Sequence, residues 1–445
     1  MTMANHSYYK EIIRLGLPIL VGQLGMIVTA FADNIMVGRY STEALASASF
    51  VNGVFNVVIF CCLGFTYGLT PLVGALYGRG EHKAIGTLMR NGVALNLLYA
   101  FLLTIGLGIL YFHLHRLGQP AELLPLIRPY YLTALAGLVP VCLFNVFAQW
   151  SYGTTDTRTP MWIILGGNVL NIIGNYMLIF GHGGAPELGL TGAGISTLVS
   201  RVLTAVALIG VFCFCRSAAE ARRGFATGQL KRQTLSKVWR TSLPVSMQMT
   251  FESGSFSVAA IMSGWLGAVP LAAFQIIVIT GTLGFCVYYS VGAAISVVVA
   301  NVAGSGDCRL MRRAAWHGYH IMLTLMVCSS LIFVFWGRSI LGVFTDDAVV
   351  LSAAAALIFP LVLYQLGDAT QITFANALRG TSHVMPMLWI AFISYVVVGI
   401  PATYILGFPV GMGLYGILLS FSVSLFLAGA LFLIFFLRAT RATQQ

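Results

Sequence analysis

Long apolar stretches alternate with short polar ones along almost the whole chain. Runs of about 20 apolar residues recur from Ile12 to Leu437 with short connections between them. This pattern is typical of membrane-spanning helices, whereas a membrane barrel shows a ten-residue alternation. Counting the runs predicts twelve spans. We therefore expect an all-α polytopic membrane protein whose main partner is the lipid bilayer.

The composition agrees with a membrane protein. Hydrophobic residues make up 58% of the 445 residues and charged residues only 8%, too few to cover the surface of a soluble globular protein of this length. The first ten residues are polar, and no small-residue cleavage site follows a short apolar core. We therefore expect no signal peptide and a first helix that is retained.

The basic residues are unevenly distributed between the two sides of the predicted bundle. The net charge is +11, which by itself could suggest nucleic-acid binding. However, 19 of the 24 Lys and Arg residues lie at the termini and in the even-numbered connections. By the positive-inside rule this predicts cytoplasmic termini and no nucleic-acid partner.

Motifs for other classes of protein are missing from the sequence. The eight cysteines lack the paired spacing that a zinc site or a disulfide framework needs. No Lys is followed by Ser or Thr, so the chain contains no Walker A loop. An intramembrane enzyme is also disfavoured, because the histidines lie near helix ends and no Gly-x-Ser-x-Gly elbow occurs. The energy for transport must come from another source.

The two halves of the chain repeat each other. One constant shift in position superimposes landmarks of the first half on the second, including Pro18 on Pro244 and Gly78 on Gly304. Each repeat holds six predicted spans, an even number, so both halves have the same orientation and are related by an axis along the membrane normal. Such a repeat is typical of an alternating-access carrier.

The repeat also suggests a division into domains. We expect a first lobe at residues 1–215, a cytoplasmic linker at residues 216–236 and a second lobe at residues 237–445. The linker is the only long polar connection, and the two lobes form two pseudo-symmetric six-helix bundles.

Three carboxylates lie inside apolar spans, at Asp33, Glu252 and Asp368, while the other acidic residues fall at helix ends or in loops. A carboxylate at the centre of a bilayer costs about 2.5–3.5 kcal/mol on insertion scales. Such residues face a bundle interior or a water-filled cavity. They are therefore candidates for an ion, proton or substrate site.

Other polar residues follow these acids at helical spacing. Gln248, Glu252, Ser255 and Ala259 share one helix face, and so do Tyr364, Asp368, Gln371 and Ala375. A third polar face in the fifth span contains Asn168, Asn171 and Asn175. The asparagines either line a site or form hydrogen bonds between helices. Arg201, near the middle of the sixth span, is either a structural counter-ion, for example of Asp33, or a substrate contact.

Several segments together resemble a known transporter family. They are Leu17-Pro18 followed by Asp33 and Met36-Val37-Gly38, Asn171-Ile172-Ile173-Gly174-Asn175, Phe251-Glu252, Tyr364-Gln365-Leu366-Gly367-Asp368-Ala369-Thr370-Gln371, and Leu378-Arg379-Gly380. This combination resembles the multidrug and toxic compound extrusion family, and within it the NorM-like branch. The resemblance covers nearly the whole chain.

The resemblance implies a secondary active antiporter that exports lipophilic organic cations in exchange for Na⁺ or H⁺ moving inward. It assigns cation coupling to Glu252, Asp368 and Asp33, with Na⁺ possible at Glu252 and Asp368. We expect substrate or cation contacts from a further set of polar residues: Asn171, Asn175, Gln248, Tyr364, Gln371 and Arg201. The implied protein is a monomer of the bacterial inner membrane that needs no catalytic residue and no cofactor apart from the coupling ion.

The chain departs from a related branch of the family at one residue, and one alternative function stays open. A related branch of the family has Asp where this chain has Asn175, so the first lobe lacks a second titrating carboxylate. The alternative function is that of a flippase for lipid-linked or other amphipathic substrates. A pyrophosphate substrate would need several cations inside the membrane, and Arg201 is the one such residue that the sequence offers.

Overall fold

The computed structural model describes residues 7–117 and 120–441, and every regular element in that part of the chain is helical. The prediction of an all-α fold is therefore confirmed. The helices in chain order are α1 (Tyr8–Tyr40), α2 (Thr42–Tyr67), α3 (Leu69–Gly78), α4 (His82–Phe112), α5 (Leu124–Ala136), α6 (Leu138–Gly153), α7 (Arg158–Phe180), α8 (Gly189–Phe214), α9 (Ala219–Thr227), α10 (Arg232–Trp265), α11 (Ala268–Ala303), α12 (Cys308–Leu341), α13 (Ala348–Ala355), α14 (Ile358–Gly380), α15 (Met385–Ala391), α16 (Ile400–Gly407) and α17 (Gly413–Ala439). A π-helical turn, Phe392–Gly399, joins α15 to α16.

Most of these helices can cross a membrane. Within the described residues, ten helical stretches are long and apolar enough, and α13 with α14, bent by 44°, supplies an eleventh. The remaining predicted span is α10, whose polar residues lower its hydropathy. Its 34 residues, at about 1.5 Å each, extend about 51 Å, more than the hydrocarbon core of about 30 Å. The chain is thus a multi-pass integral membrane protein.

The outside of the helices is apolar. Large hydrophobic side chains such as Phe335, Trp162 and Trp265 are mostly exposed in the isolated chain. On a soluble protein an apolar surface of this extent would promote association. On a membrane protein it faces the lipid tails, which agrees with the spans identified above.

Two of the spans are interrupted at glycines because another side chain or backbone approaches closely. At Gly68, between α2 and α3, a Cβ atom would collide with the backbone of Ser242 on α10. At Gly137, between α5 and α6, a Cβ atom would lie 2.8 Å from Nη1 of Arg201. These breaks allow α10 and the guanidinium of Arg201 to pack against the helix backbone.

The chain forms two compact units, and the boundaries between them fall within helices α1 and α10. One unit combines the chain up to Leu20 with the chain from Met247, and the other is Val21–Ser246. The first part of α1 therefore belongs with the second half of the chain, and the first part of α10 with the first half. Each crossing point follows a proline, Pro18 or Pro244, so the two crossing points occupy equivalent positions in the sequence repeat.

The segment predicted as a linker, residues 216–236, contains α9, and this helix is packed on α4. A Cβ atom at Gly86 or at Gly224 would collide with the backbone of the other helix, so the two backbones touch through glycines. After α9, the backbone N–H of Lys231 donates to Oδ1 of Asn91 on α4 (3.0 Å). The polar connection is thus fixed to the unit formed by Val21–Ser246.

Candidate functional site

Glu252 lies on a buried face of α10. Nε2 of Gln248, one turn earlier, donates to Oε2 of Glu252 over 2.7 Å. Ser255 and Ala259, further along the same face, are also buried, whereas Ile261 and Trp265 are exposed. The predicted orientation of this helix is therefore confirmed. The half-buried carboxylate of Glu252 lies on this face, where Gln248 donates to it.

Helix α14 brings the second carboxylate into the same unit. Asp368 is only 6% exposed. Gln371, one turn later on α14, donates from Nε2 to Oε2 of Glu252 over 3.5 Å. The carboxylates of Asp368 and Glu252 interact electrostatically. The predicted residues Gln248, Asp368 and Gln371, which are buried, thus form one cluster with the half-buried Glu252, called the acidic cluster below.

The acidic cluster contains oxygen atoms whose bonding capacity is unused among the described residues. Both glutamine amides direct their N–H groups to Glu252, and the carbonyl oxygens Oε1 of Gln248 and Gln371 are buried with no hydrogen-bond partner in the described part of the chain. Carboxylate and amide oxygens are hard ligands of the type that alkali and alkaline-earth cations prefer. The residues present fit a small hard cation.

Arg379 supplies a balancing positive charge. It lies near the end of α14, is 7% exposed and interacts electrostatically with Glu252. With both acids ionised, two negative charges face this one positive charge, so the group has a net charge of −1. Such a net charge inside a membrane protein favours uptake of a single monovalent cation.

Tyr364 and Gln365 extend the acidic cluster toward α11 and α12. The hydroxyl of Tyr364 lies against Gly281, and Tyr364 interacts electrostatically with Asp368. Gln365 is buried, and its Oε1 accepts a hydrogen bond from Ser329 over 2.9 Å. The sequence predicted a role for Tyr364 but not for Gln365. Gln365 lies beside the predicted helix face and not on it, so its amide was the only feature that could have indicated a role.

The polar residues of α7 meet Asp33 of α1 in the other unit. Nδ2 of Asn175 donates to Oδ1 of Asp33 over 2.5 Å. Asn171, one turn earlier, donates from Nδ2 to Oγ1 of Thr197 on α8 over 3.1 Å. Asn168 packs its amide against Gly25 of α1. The asparagine face therefore joins helices through hydrogen bonds and also holds the carboxylate of Asp33.

Arg201 on α8 is the cation of this second group. Its guanidinium packs against Gly137 at the break between α5 and α6, and it interacts electrostatically with Asp33. The counter-ion interpretation of Arg201 is supported by this placement. With Asp33 ionised, the pair has no net charge, in contrast to the acidic cluster.

Neither group resembles a transition-metal centre. Among the described residues there is no set of three or more His, Cys, Asp or Glu side chains placed to hold a metal ion. The acidic cluster combines two carboxylates with amides, a donor set that suits Na⁺ or a proton better than zinc.

One residue beside the acidic cluster was not identified from the sequence. Tyr395, on the π-helical turn, is 1% exposed and interacts electrostatically with both Glu252 and Asp368. A π turn changes the helical period locally. The usual spacing of three or four residues along one helix face therefore does not identify Tyr395. An aromatic residue in an apolar span is otherwise read as packing.

Comparison with known proteins identifies the family. The MatE family model matches residues 18–177 and again residues 244–405, so the two matches begin at the equivalent prolines of the repeat. "Multidrug resistance protein NorM" of Aliivibrio fischeri is 26% identical over 418 residues, covering 92% of this chain and 91% of that protein. "Probable multidrug resistance protein NorM" of Xanthomonas axonopodis pv. citri is 28% identical over 87% of this chain and 84% of that protein.

Solved structures share the fold. One, described as the outward-facing conformation of a multidrug resistance MATE family transporter of the MOP superfamily, has a TM-score of 0.89. It is 19% identical, and the match covers 99% of this chain and 97% of that one. At this identity the likeness concerns the fold alone.

Proposed function

This chain belongs to the MatE family, whose members are secondary transporters and not enzymes, and from that premise we propose that it exports lipophilic organic cations in exchange for inward Na⁺ or H⁺. The relatives described as multidrug resistance proteins support export of several drugs. The proposed location is the inner membrane of a bacterium, with both termini in the cytoplasm, as the distribution of basic residues suggests.

The observation that carries the proposal is the acidic cluster. Glu252 and Asp368 place two carboxylates inside one unit, with Arg379 as the nearby positive charge. Leaving such a net charge unpaired in a membrane protein is costly, and binding of one Na⁺ or H⁺ removes it. We therefore propose that Glu252 and Asp368 bind the coupling ion.

The group around Asp33 serves the substrate in this proposal. Asp33 is held by Asn175 and is balanced by Arg201, so it does not require an added cation for neutrality. A lipophilic organic cation that enters beside Asp33 competes with Arg201 for the same carboxylate. The two units then differ in task, one taking the ion and the other the drug.

The direction of transport follows from the electrical work. Moving one positive charge outward against about 100 mV costs about 2.3 kcal/mol. Exchange for one incoming cation removes this electrical term. A tenfold inward gradient of the coupling ion then supplies about 1.4 kcal/mol, enough for about tenfold depletion of the drug. No ATP-binding motif is needed for such a cycle.

The test is dye transport in proteoliposomes that contain the purified protein. Ethidium, a lipophilic cation, is loaded on one side, and either a Na⁺ gradient or a pH gradient is then imposed. For the wild type we expect ethidium to cross the membrane in the direction opposite to the ion that flows down its gradient. Glu252→Gln and Asp368→Asn should each abolish the ion-driven component while the protein still inserts into the membrane.

Glu122→Gln is the matched control, because Glu122 is an exposed acid in the connection before α5. It should transport like the wild type. Normal ion-driven transport by both amide variants of the acidic cluster would refute the assignment. Movement of a lipid-linked substrate in place of ethidium would support the flippase alternative.

A further inference from the structure

The hydroxyl of Tyr395 is buried and without a hydrogen-bond partner among the described residues. The side chain is 1% exposed and is one of the largest fully buried side chains of this part of the protein. A buried hydroxyl that makes no hydrogen bond loses its interaction with water and gains nothing in return. A side chain of this kind, in a membrane transporter, points to a ligand that completes its bonding.

The π-helical turn places Tyr395 beside the acidic cluster. The backbone N–H of Ile400 donates to the carbonyl of Tyr395, five residues earlier, which is the hydrogen bond of a π turn. Phe392, in the same turn, packs its ring 5.7 Å from that of Phe251, the residue before Glu252. The turn therefore contacts α10 at the level of the carboxylate. π turns occur frequently at functional sites.

Tyr395 faces both acids electrostatically. Glu252 and Asp368 each act on its phenol group, while Arg379 acts on Glu252 and Tyr364 lies near Asp368. Tyr288 on α11 is a further titratable neighbour of Asp368, and its hydroxyl donates to Oε1 of Gln365 over 3.4 Å. Tyr395 is the one among these neighbours whose oxygen is buried without a partner in the described residues.

Three buried oxygens around the carboxylates thus have unused lone pairs: Oε1 of Gln248, Oε1 of Gln371 and Oη of Tyr395. A proton bound to one carboxylate can satisfy only one or two acceptors. A dehydrated Na⁺ can accept several oxygen ligands at once, since protein oxygens then replace its hydration shell. The number and type of unused oxygens favour the metal cation.

We propose that Tyr395 is a ligand of the coupling cation, placed by the π turn so that its hydroxyl oxygen completes a Na⁺ site with Glu252 and Asp368. This inference rests on the proposed function, since it assumes that the acidic cluster takes the coupling ion. The glutamine carbonyl oxygens supply the neighbouring ligands. The phenol thereby raises the affinity for Na⁺ without adding a negative charge.

The experiment measures Na⁺ binding to the purified full-length protein in detergent. Thermal unfolding is followed while NaCl replaces choline chloride at constant ionic strength and constant pH. A cation that binds only the folded state raises the unfolding temperature with its concentration. We expect Tyr395→Phe to raise the half-saturating Na⁺ concentration about tenfold, as expected for losing one contact to a charged ligand.

Two control variants separate a ligand from a packing residue. Ser394→Ala removes a neighbouring buried hydroxyl of the same π turn that also lacks a partner among the described residues, and Tyr404→Phe removes an exposed phenol of α16. Both should titrate like the wild type. A Tyr395→Phe protein that unfolds earlier without Na⁺ but keeps the wild-type half-saturation would overturn the proposal, because the role would then be packing alone.

The outcomes also distinguish this inference from the proposed function. If Na⁺ stabilises the wild type but not Glu252→Gln, the ion site stands, and the Tyr395→Phe titration alone decides the role of the tyrosine. If Na⁺ has no effect on the wild type, the Na⁺ assignment of Tyr395 is refuted. In that case proton coupling of the acidic cluster remains to be judged by the dye assay.

Discussion

Gln371 on α14 donates a hydrogen bond to Glu252 on α10 from a position one helical turn beyond Asp368. This bond joins the helices that supply the two carboxylates of the acidic cluster. Because Gln248 donates to the same Oε2 atom, both amides orient their carbonyl oxygens away from the carboxylate. Glu252 is therefore held in place by two donors, while the buried carbonyl oxygens of both amides remain available to an ion.

The first prediction concerns Asp33 and Arg201. These two oppositely charged residues are half-buried, and removing one partner leaves the other uncompensated, which costs more than removing both. Asp33→Asn and Arg201→Met should each lower the unfolding temperature in detergent. The double variant should be more stable than the sum of the two effects predicts, by on the order of 1 kcal/mol.

Arg128→Met is the control for this cycle, because Arg128 is an exposed residue of α5. Combined with Asp33→Asn, it should show no interaction energy. Strictly additive effects of Asp33→Asn and Arg201→Met would contradict the pairing of these two residues.

The second prediction concerns the docking of α9 on α4. A methyl group at Gly224 would collide with the carbonyl of Lys83, so Gly224→Ala should release residues 216–236 from α4. Limited trypsin digestion should then cut at the basic residues of this segment faster than in the wild type. The unfolding temperature should fall as well.

Gly106→Ala provides the comparison, because Gly106 also lies in α4 but a Cβ atom added there would have nothing within 4 Å. It should be neutral or slightly stabilising, since Ala is the better helix former by about 1 kcal/mol. Equal rates of digestion in the Gly224→Ala variant and the wild type would show that the docking does not restrain the segment.

The third prediction tests topology through Cys215, which follows α8 and lies outside the spans. Hydrogen bonds from the hydroxyl and the backbone of Ser217 lower the pKa of the Cys215 thiol from its usual value. A lowered pKa means that more of the reactive thiolate is present near neutral pH. A membrane-impermeant maleimide should therefore label Cys215 near pH 7, and only from the cytoplasmic side.

Cys215→Ser identifies the labelled site, and Ser217→Ala should slow the labelling near pH 7 by raising the thiol pKa. Glu122→Cys, in the connection on the other predicted side, should react only from the outside. Labelling of Cys215 from the outside would contradict the assigned orientation of both termini.

The sequence predicted the elements that depend on local pattern. The apolar runs predicted the spans, and the polar face through Gln248 and Glu252 predicted which side of α10 is buried. The register of the internal repeat, which places Pro18 on Pro244, was confirmed by the two matches to the family model. These features follow from hydropathy and helical period, which are properties of short segments.

Other features depend on contacts between distant segments and were not predicted. The packing of α9 on α4 requires glycines at two positions that are far apart in sequence, Gly86 and Gly224. The boundaries of the two units lie inside α1, after Leu20, and inside α10, after Ser246. Apart from the proline before each boundary, nothing in the composition of these helices predicts it. The π turn at Tyr395 appears in the sequence as an ordinary apolar stretch.

The most direct test of the account is whether drug and coupling ion oppose each other at equilibrium. If an antiporter exchanges them through linked sites, binding of one must weaken binding of the other by the same factor. Ethidium affinity of the purified protein in detergent should therefore weaken as Na⁺ rises or as pH falls. This dependence should fade in Glu252→Gln and Asp368→Asn, whereas an ethidium affinity independent of both ions in the wild type would contradict antagonistic coupling through the acidic cluster.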